Sequence, residues 1–99
     1  MKQYYPYPAN DGKHKYYIIT KSGRKVLFGA SGYSDYIKYS KNNPKLANER
    51  KQRYIDRHKN NENWGKSGIN TAGFWSRWLL WHLPTIKNSY TDIKKRFLN

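Results

Sequence analysis

The sequence has no cysteine, which excludes disulfides, thiolate metal sites and a cysteine nucleophile and leaves the redox compartment unspecified. Valine occurs once, and Leu, Ile, Val and Phe together make up only 17 of the 99 residues. At that proportion a highly charged chain is short of the aliphatic surface that an ordinary core requires. Acids are scarce as well: six Asp and Glu stand against twenty Lys and Arg, a formal net charge of +14. No apolar run approaches the roughly 20 residues that cross a bilayer, so no membrane insertion is expected. The opening MKQYYPYPAN holds no apolar segment of the kind a signal peptide needs, and none is expected.

Aromatic residues fill the gap. Ten Tyr and four Trp are present, and each such side chain can bury on the order of 150–250 Å². A small core built on rings, with Tyr hydroxyls at its margin, is therefore expected. The length suits one domain, which typically runs to roughly 100–150 residues. Positive charge is spread over every third of the chain, so the folded body is basic rather than a tail. Such a body attracts polyanions: nucleic acid, an anionic membrane surface or an acidic protein. Lys outnumbers Arg by 14 to 6, and with abundant Asn, Tyr and Ile this fits the codon usage of an AT-rich genome.

Residues 1–13, with Pro6, Pro8 and the run Asn10-Asp11-Gly12, read as an irregular N-terminal arm ending in a turn; residues 14–99 read as one basic domain. Residues 15–20 (KYYIIT) and 25–30 (KVLFGA) have strand composition, and the intervening Lys21-Ser22-Gly23-Arg24 predicts a β-hairpin. Tyr33 and Ile37, four apart, predict a short helix over 33–39. Asn43 as N-cap and Pro44 at the first helical position start a second helix that runs to about residue 59. An Asn- and Gly-rich linker, 60–70, follows. Thr71 caps a third helix to about residue 82, and Ser89 with Asp92 has near capping-box spacing for a last helix ending near residue 97. The fold class is α+β: an N-terminal two-stranded β-hairpin packed on three to four α-helices.

On the third helix, Phe74, Trp78 and Trp81 form one stripe and Trp75, Leu79 and His82 the adjacent one. Stacking on bases is one reading of these rings. A core face turned toward the hairpin is the reading preferred here, because the chain is otherwise short of large apolar residues. On the second helix, Arg50, Arg53 and Arg57 share one face, with Lys51 and Lys59 nearby, and Arg77 stands at the edge of the aromatic stripe. Arg forks suit phosphate, so these residues form the main nucleic-acid-binding surface. Lys21, Arg24 and Lys25 at the hairpin turn extend it. Lys94, Lys95 and Arg96 are read as complementing the last helix dipole. In the block 57–64 (RHKNNENW), basic residues finish a helix, asparagines turn the chain and Trp64 pins the linker to the core. A functional cluster of His58, Lys59, Asn60 and Glu62 is the competing reading.

Catalytic motifs are weak. His14, His58 and His82 are scattered, and no phosphate loop, nucleophile elbow or metal-ligand spacing is present. No enzyme activity, catalytic residue, metal or cofactor is expected. One layout, Tyr16-Tyr17-Ile18 followed by Leu27-Phe28-Gly29 and then Tyr33, is similar to that of GIY-YIG nucleases. It lacks the first Gly, has Leu-Phe for Tyr-Ile, and offers only Glu62 as the acidic residue.

Three blocks carry a broader resemblance: 27–36 (LFGASGYSDY), 53–64 (RYIDRHKNNENW) and 71–81 (TAGFWSRWLLW). Through them the chain, over roughly residues 15–97, resembles a family of small basic proteins of giant and other nucleocytoplasmic large DNA viruses, marseillevirus- and mimivirus-like. The resemblance implies a viral protein resident in the virion or in a cytoplasmic viral factory or nucleus, acting on DNA. It implies no catalytic site. The expected function is sequence-tolerant binding of double-stranded DNA, packaging or scaffolding a viral genome; the charge argument applies equally to RNA. The alternatives are a virion adaptor for an acidic protein partner and, behind it, a GIY-YIG-like nuclease. Other virion proteins, or further copies of the chain, are compatible partners.

Overall fold

In the computed structural model, which describes residues 2–98, a two-residue strand β1 (Tyr7–Pro8) opens the sheet. It pairs antiparallel with β2 (His14–Ile19), Tyr7 lying opposite Tyr17. The chain then returns as β3 (Lys25–Ala30), with Tyr16 opposite Phe28 and Ile18 opposite Val26. The reversal is tight: Thr20 N–H donates to Arg24 O, and Gly23 takes φ +90°, a backbone region that costs glycine nothing. The α+β expectation and its hairpin hold, and the N-terminal segment adds a third strand.

That segment is more than an irregular arm. Tyr4, at φ +53°, donates its N–H to Ile19 O and its hydroxyl to Asn70 Oδ1, and its ring stacks on Trp75 at 6.4 Å. The predicted turn is present, with Asp11 Oδ1 accepting from the N–H groups of Lys13 and His14. Met1 and Asn99, the outer ends of the expected arm and domain, lie outside the described residues.

Helix α1 spans Tyr36–Asn42, later than the expected 33–39. Asp35 is its N-cap, accepting from Lys38 N–H at 3.0 Å, so Tyr33 stays outside the helix. Helix α2, Pro44–His58, starts as read, Asn43 Oδ1 accepting from Leu46 N–H. After a 3₁₀ turn at Lys66–Gly68, Thr71 caps α3, which begins as Ala72–Trp75 and widens into a π-helical turn, Ser76–Leu80. Trp81 N–H there donates to Ser76 O, five residues back. Helix α4, Ile86–Phe97, begins at the N-cap Thr85 rather than at Ser89. Ser89 instead lies buried inside it, accepting from Leu83 N–H.

The π turn corrects the predicted stripes. Phe74, Trp75, Leu79 and Leu80 are the buried set, while Trp78, Trp81 and His82 sit half-buried at the core margin. Trp75 and Leu80 are five apart, a spacing a regular helix would splay by about 140°. The wider turn brings both against Ile18, Val26 and Phe28 of the sheet, and Tyr90 and Ile93 of α4 complete the core. Helices α1 and α2 join this body through rings: Tyr54 stacks on Trp81 at 4.8 Å and Tyr39 lies 6.3 Å from the same indole.

Candidate functional site

The predicted basic residues separate into three groups. Arg50, Arg53, Arg57 and Lys59 are exposed on α2 and just beyond its end. Arg53 pairs with Glu49 at 2.9 Å and Lys59 with Asp56 at 3.8 Å, both on the exposed surface, where such pairs contribute little. Arg50 lies 5.9 Å from the Tyr39 ring. Arg57 makes no ion pair or hydrogen bond among the described residues.

The second group has structural work. Lys51 Nζ donates to His82 O at 2.7 Å and sits over the Tyr36 ring. Arg77 donates to Trp81 O at 2.7 Å while its guanidinium stacks between Trp64 and Trp78. The end of α3 leaves carbonyls without helical partners, and these two cations satisfy them. Burial lowers the pKa of both, with the Arg77 charge adding to the effect at Lys51 and the Arg96 charge adding to it at Arg77. Lys51 thus ties α2 to the segment after α3, and Arg77 ties that segment to the Trp64 ring of the linker.

The third group, Lys21, Arg24 and Lys25, lies at the hairpin turn, the opposite end of β2 and β3 from Ala30. Arg24 donates to Asn70 O and Lys25 sits 4.3 Å from the Tyr17 ring. The fold does not join this patch to the α2 stripe.

Where the C-terminal turn of α2 meets the end of β3 and the start of α3, a cleft of about 440 Å³ opens. It is lined by Arg57 and His58 from the end of α2, by Lys15 and Asp35, and by Glu62, Gly73 and Ser76. Tyr54 and Trp81 form a stacked wall, their planes 6° apart. Burial, with the nearby Glu62 carboxylate, pushes the Tyr54 phenol up to about 12, so it remains a neutral donor. Lys15 Nζ bonds both Tyr33 O and Asp35 Oδ2, the latter at 2.7 Å, so this buried acid is neutralised and the 33–35 loop is clamped. Tyr33 itself projects from the rim, 73% exposed.

The sequence singles out His58 and Glu62 in the linker block, and Glu62 with Tyr33 in the GIY-YIG-like layout; the cleft brings Lys15 and Asp35 to them from distant segments. Two local signals were available: Asp35, placed three residues before Lys38 as a cap, and Glu62, the one acid in a linker whose other charge is Lys66. The linker is pinned as expected, Trp64 stacking on Tyr54 and its carbonyl accepting from Trp78 Nε1. Its asparagines turn the chain without left-handed backbone, through bonds such as Asn63 Oδ1 accepting from Gly65 N–H. Of the GIY-YIG-like layout, Tyr16 and Tyr17 pair with Phe28 and Leu27 on β3 and do not line this cleft, whereas Gly29, Tyr33 and Glu62 do. No group of three or more His, Cys, Asp or Glu suited to a metal occurs among the described residues, and no described helix is long and apolar enough to cross a membrane. Comparison with protein-family models, with curated proteins and with solved structures finds no match for this chain.

Proposed function

We propose that this protein binds double-stranded DNA with little sequence preference, neutralising backbone phosphates from its folded body. The observation that carries the reading is the exposed Arg50–Arg53–Arg57 face of α2 on a body whose six acids cannot offset twenty cations. Arg guanidinium forks match phosphate geometry, and contacts of this kind position a protein on a duplex without reading bases. Lys59 extends the stripe, and the hairpin residues Lys21, Arg24 and Lys25 supply a separate patch for a second stretch of backbone. Packaging or scaffolding the genome of a large DNA virus, in the virion or the viral factory, is the setting that the sequence resemblance supports.

The test is gel retardation of duplexes of unrelated sequence across a salt series. Equal affinity for all of them, with log K falling steeply and linearly against log salt, is the expected result. Discrimination between sequences would point to base readout. Absence of retardation at low salt, with tight binding to an acidic protein, would replace this reading with that of a virion adaptor.

A further inference from the structure

Five of the six carboxylates in this chain are paired: Asp11 with His14, Asp35 with Lys15, Glu49 with Arg53, Asp56 with Lys59, and Asp92 with His82 and Arg96. Glu62 is the exception. Among the described residues it has neither an ion pair nor a hydrogen bond, although it shares the cleft with Arg57 and His58, whose side chains also make none. In a molecule with more than three cations for each acid, Glu62 is unpaired although it shares a cleft with Arg57, which is unpaired too. Its carboxylate lies so close over Gly73 that a Cβ there would fall 1.2 Å from Oε2. The cleft therefore holds an acceptor, the Glu62 carboxylate beside Gly73, together with the donors Arg57 and His58.

That combination selects its ligand. A bare anion would meet Arg57 but be repelled by Glu62, and a bare cation would meet the reverse. A ligand carrying an anionic group together with N–H or O–H donors satisfies both. Nucleotides have that chemistry: a phosphate for Arg57 and His58, and an exocyclic amine or sugar hydroxyl for Glu62. The cleft volume of about 440 Å³ suits a small-molecule-sized unit and is far too small for a duplex. At the rim, the exposed Tyr33 offers a ring face to a base, and the Lys15 bond to its carbonyl fixes the backbone that carries it.

We propose that this cleft receives a single unpaired nucleotide of a bound strand, at an end or overhang, with Tyr33 stacked on its base and Glu62 accepting from it. The proposal rests on the nucleic-acid reading above and adds a strand-end preference to it.

Fluorescence anisotropy at fixed salt, on a labelled blunt duplex and on the same duplex with a five-nucleotide overhang, tests it. The overhang should bind at least about fivefold tighter, the low end of what one base–aromatic stack supplies. Tyr33→Ala and Glu62→Gln should each abolish the preference while leaving the blunt-duplex affinity and its salt slope unchanged. Both changes are at positions outside the core, and melting curves confirm that the variants are folded. Equal binding of the two duplexes by the wild type, or a preference that survives both substitutions, overturns the proposal and leaves the duplex reading standing. Binding of the overhang with no binding of the blunt duplex overturns the duplex reading alone, and binding of neither overturns both.

Discussion

At the scale of single residues, two side chains differ sharply in what their burial does. Trp75 is fully buried against Phe28 and Phe74, under the Tyr4 ring, and its Nε1 donates to Ile69 O at 2.8 Å. Trp75→Ala should cost about 3–5 kcal/mol, enough to unfold a small domain, and urea denaturation would show it. His82 is subtler. Its Nε2 lies 2.6 Å from Asp92, whose own pKa is lowered despite its burial through bonds to His82 and Arg96, so Nε2–H is the donor. The other ring nitrogen is buried with no partner. Burial lowers the His82 pKa, outweighing Asp92, with Lys51 and Arg77 acting in the same direction as burial. The unfolded chain therefore takes up a proton that the folded one refuses, and stability present above about pH 6.5 is lost as pH falls below it. Melting temperatures from pH 7.5 down to 5 should drop in the wild type and drop less in His82→Gln; identical profiles would remove His82 as the source. The Asp92 contribution belongs to a lower window, below its ordinary value of 3.8.

At the scale of elements, two glycines, Gly68 within the linker between α2 and α3 and Gly73 just after it, separate rigid contacts from adjustable ones. A Cβ on Gly68 would lie 1.9 Å from the Asn63 carbonyl oxygen, which is backbone and cannot step aside. Gly68→Ala should destabilise by about 1–3 kcal/mol through overpacking, read by chemical denaturation. On Gly73 the obstacle is the tip of the Glu62 side chain, which can rotate away. Gly73→Ala should therefore melt near the wild type while displacing Glu62 from the cleft. A similar loss of stability in both would mean that Glu62 is held as firmly as backbone. The same contrast explains what was legible in the sequence. The hairpin, the Asn43–Pro44 start of α2 and the Thr71 cap are set by neighbouring residues and were readable. The π turn, the Tyr4 lid on Trp75 and the pairing of β1 depend on what the rest of the chain presents to them. Ser89 looked like a cap because its spacing to Asp92 fits one, yet the helix starts at Thr85 and buries that serine against Leu83. The cleft was the least legible feature, since Lys15, Asp35, Arg57 and Glu62 converge only once the sheet and α2 meet.

At the scale of the whole molecule, charge and size set how much of a duplex is covered. The body measures 39 × 28 × 24 Å, so its long axis matches about one turn of B-form DNA, roughly 34–36 Å. The α2 stripe from Arg50 to Arg57 covers about 10 Å of that length, at 1.5 Å per residue, so it can reach only a fraction of the phosphates beneath the protein. The Arg50→Gln, Arg53→Gln, Arg57→Gln triple variant keeps good helix formers at exposed positions and loses the exposed Glu49 pair and the Arg50–Tyr39 contact, both worth little at the surface, so it should fold normally. If all three meet phosphate, the slope of log K against log salt should flatten by up to about 2.7, near 0.9 per contact. Seventeen Lys and Arg remain of the twenty, so binding should weaken without disappearing, and by the same factor on every duplex sequence. A flattening confined to one sequence would reveal an Arg fork reading a base edge. A slope unchanged in the folded triple variant would take the interface off α2 altogether, and Lys21, Arg24 and Lys25 at the far end of the hairpin would then be the next residues to replace.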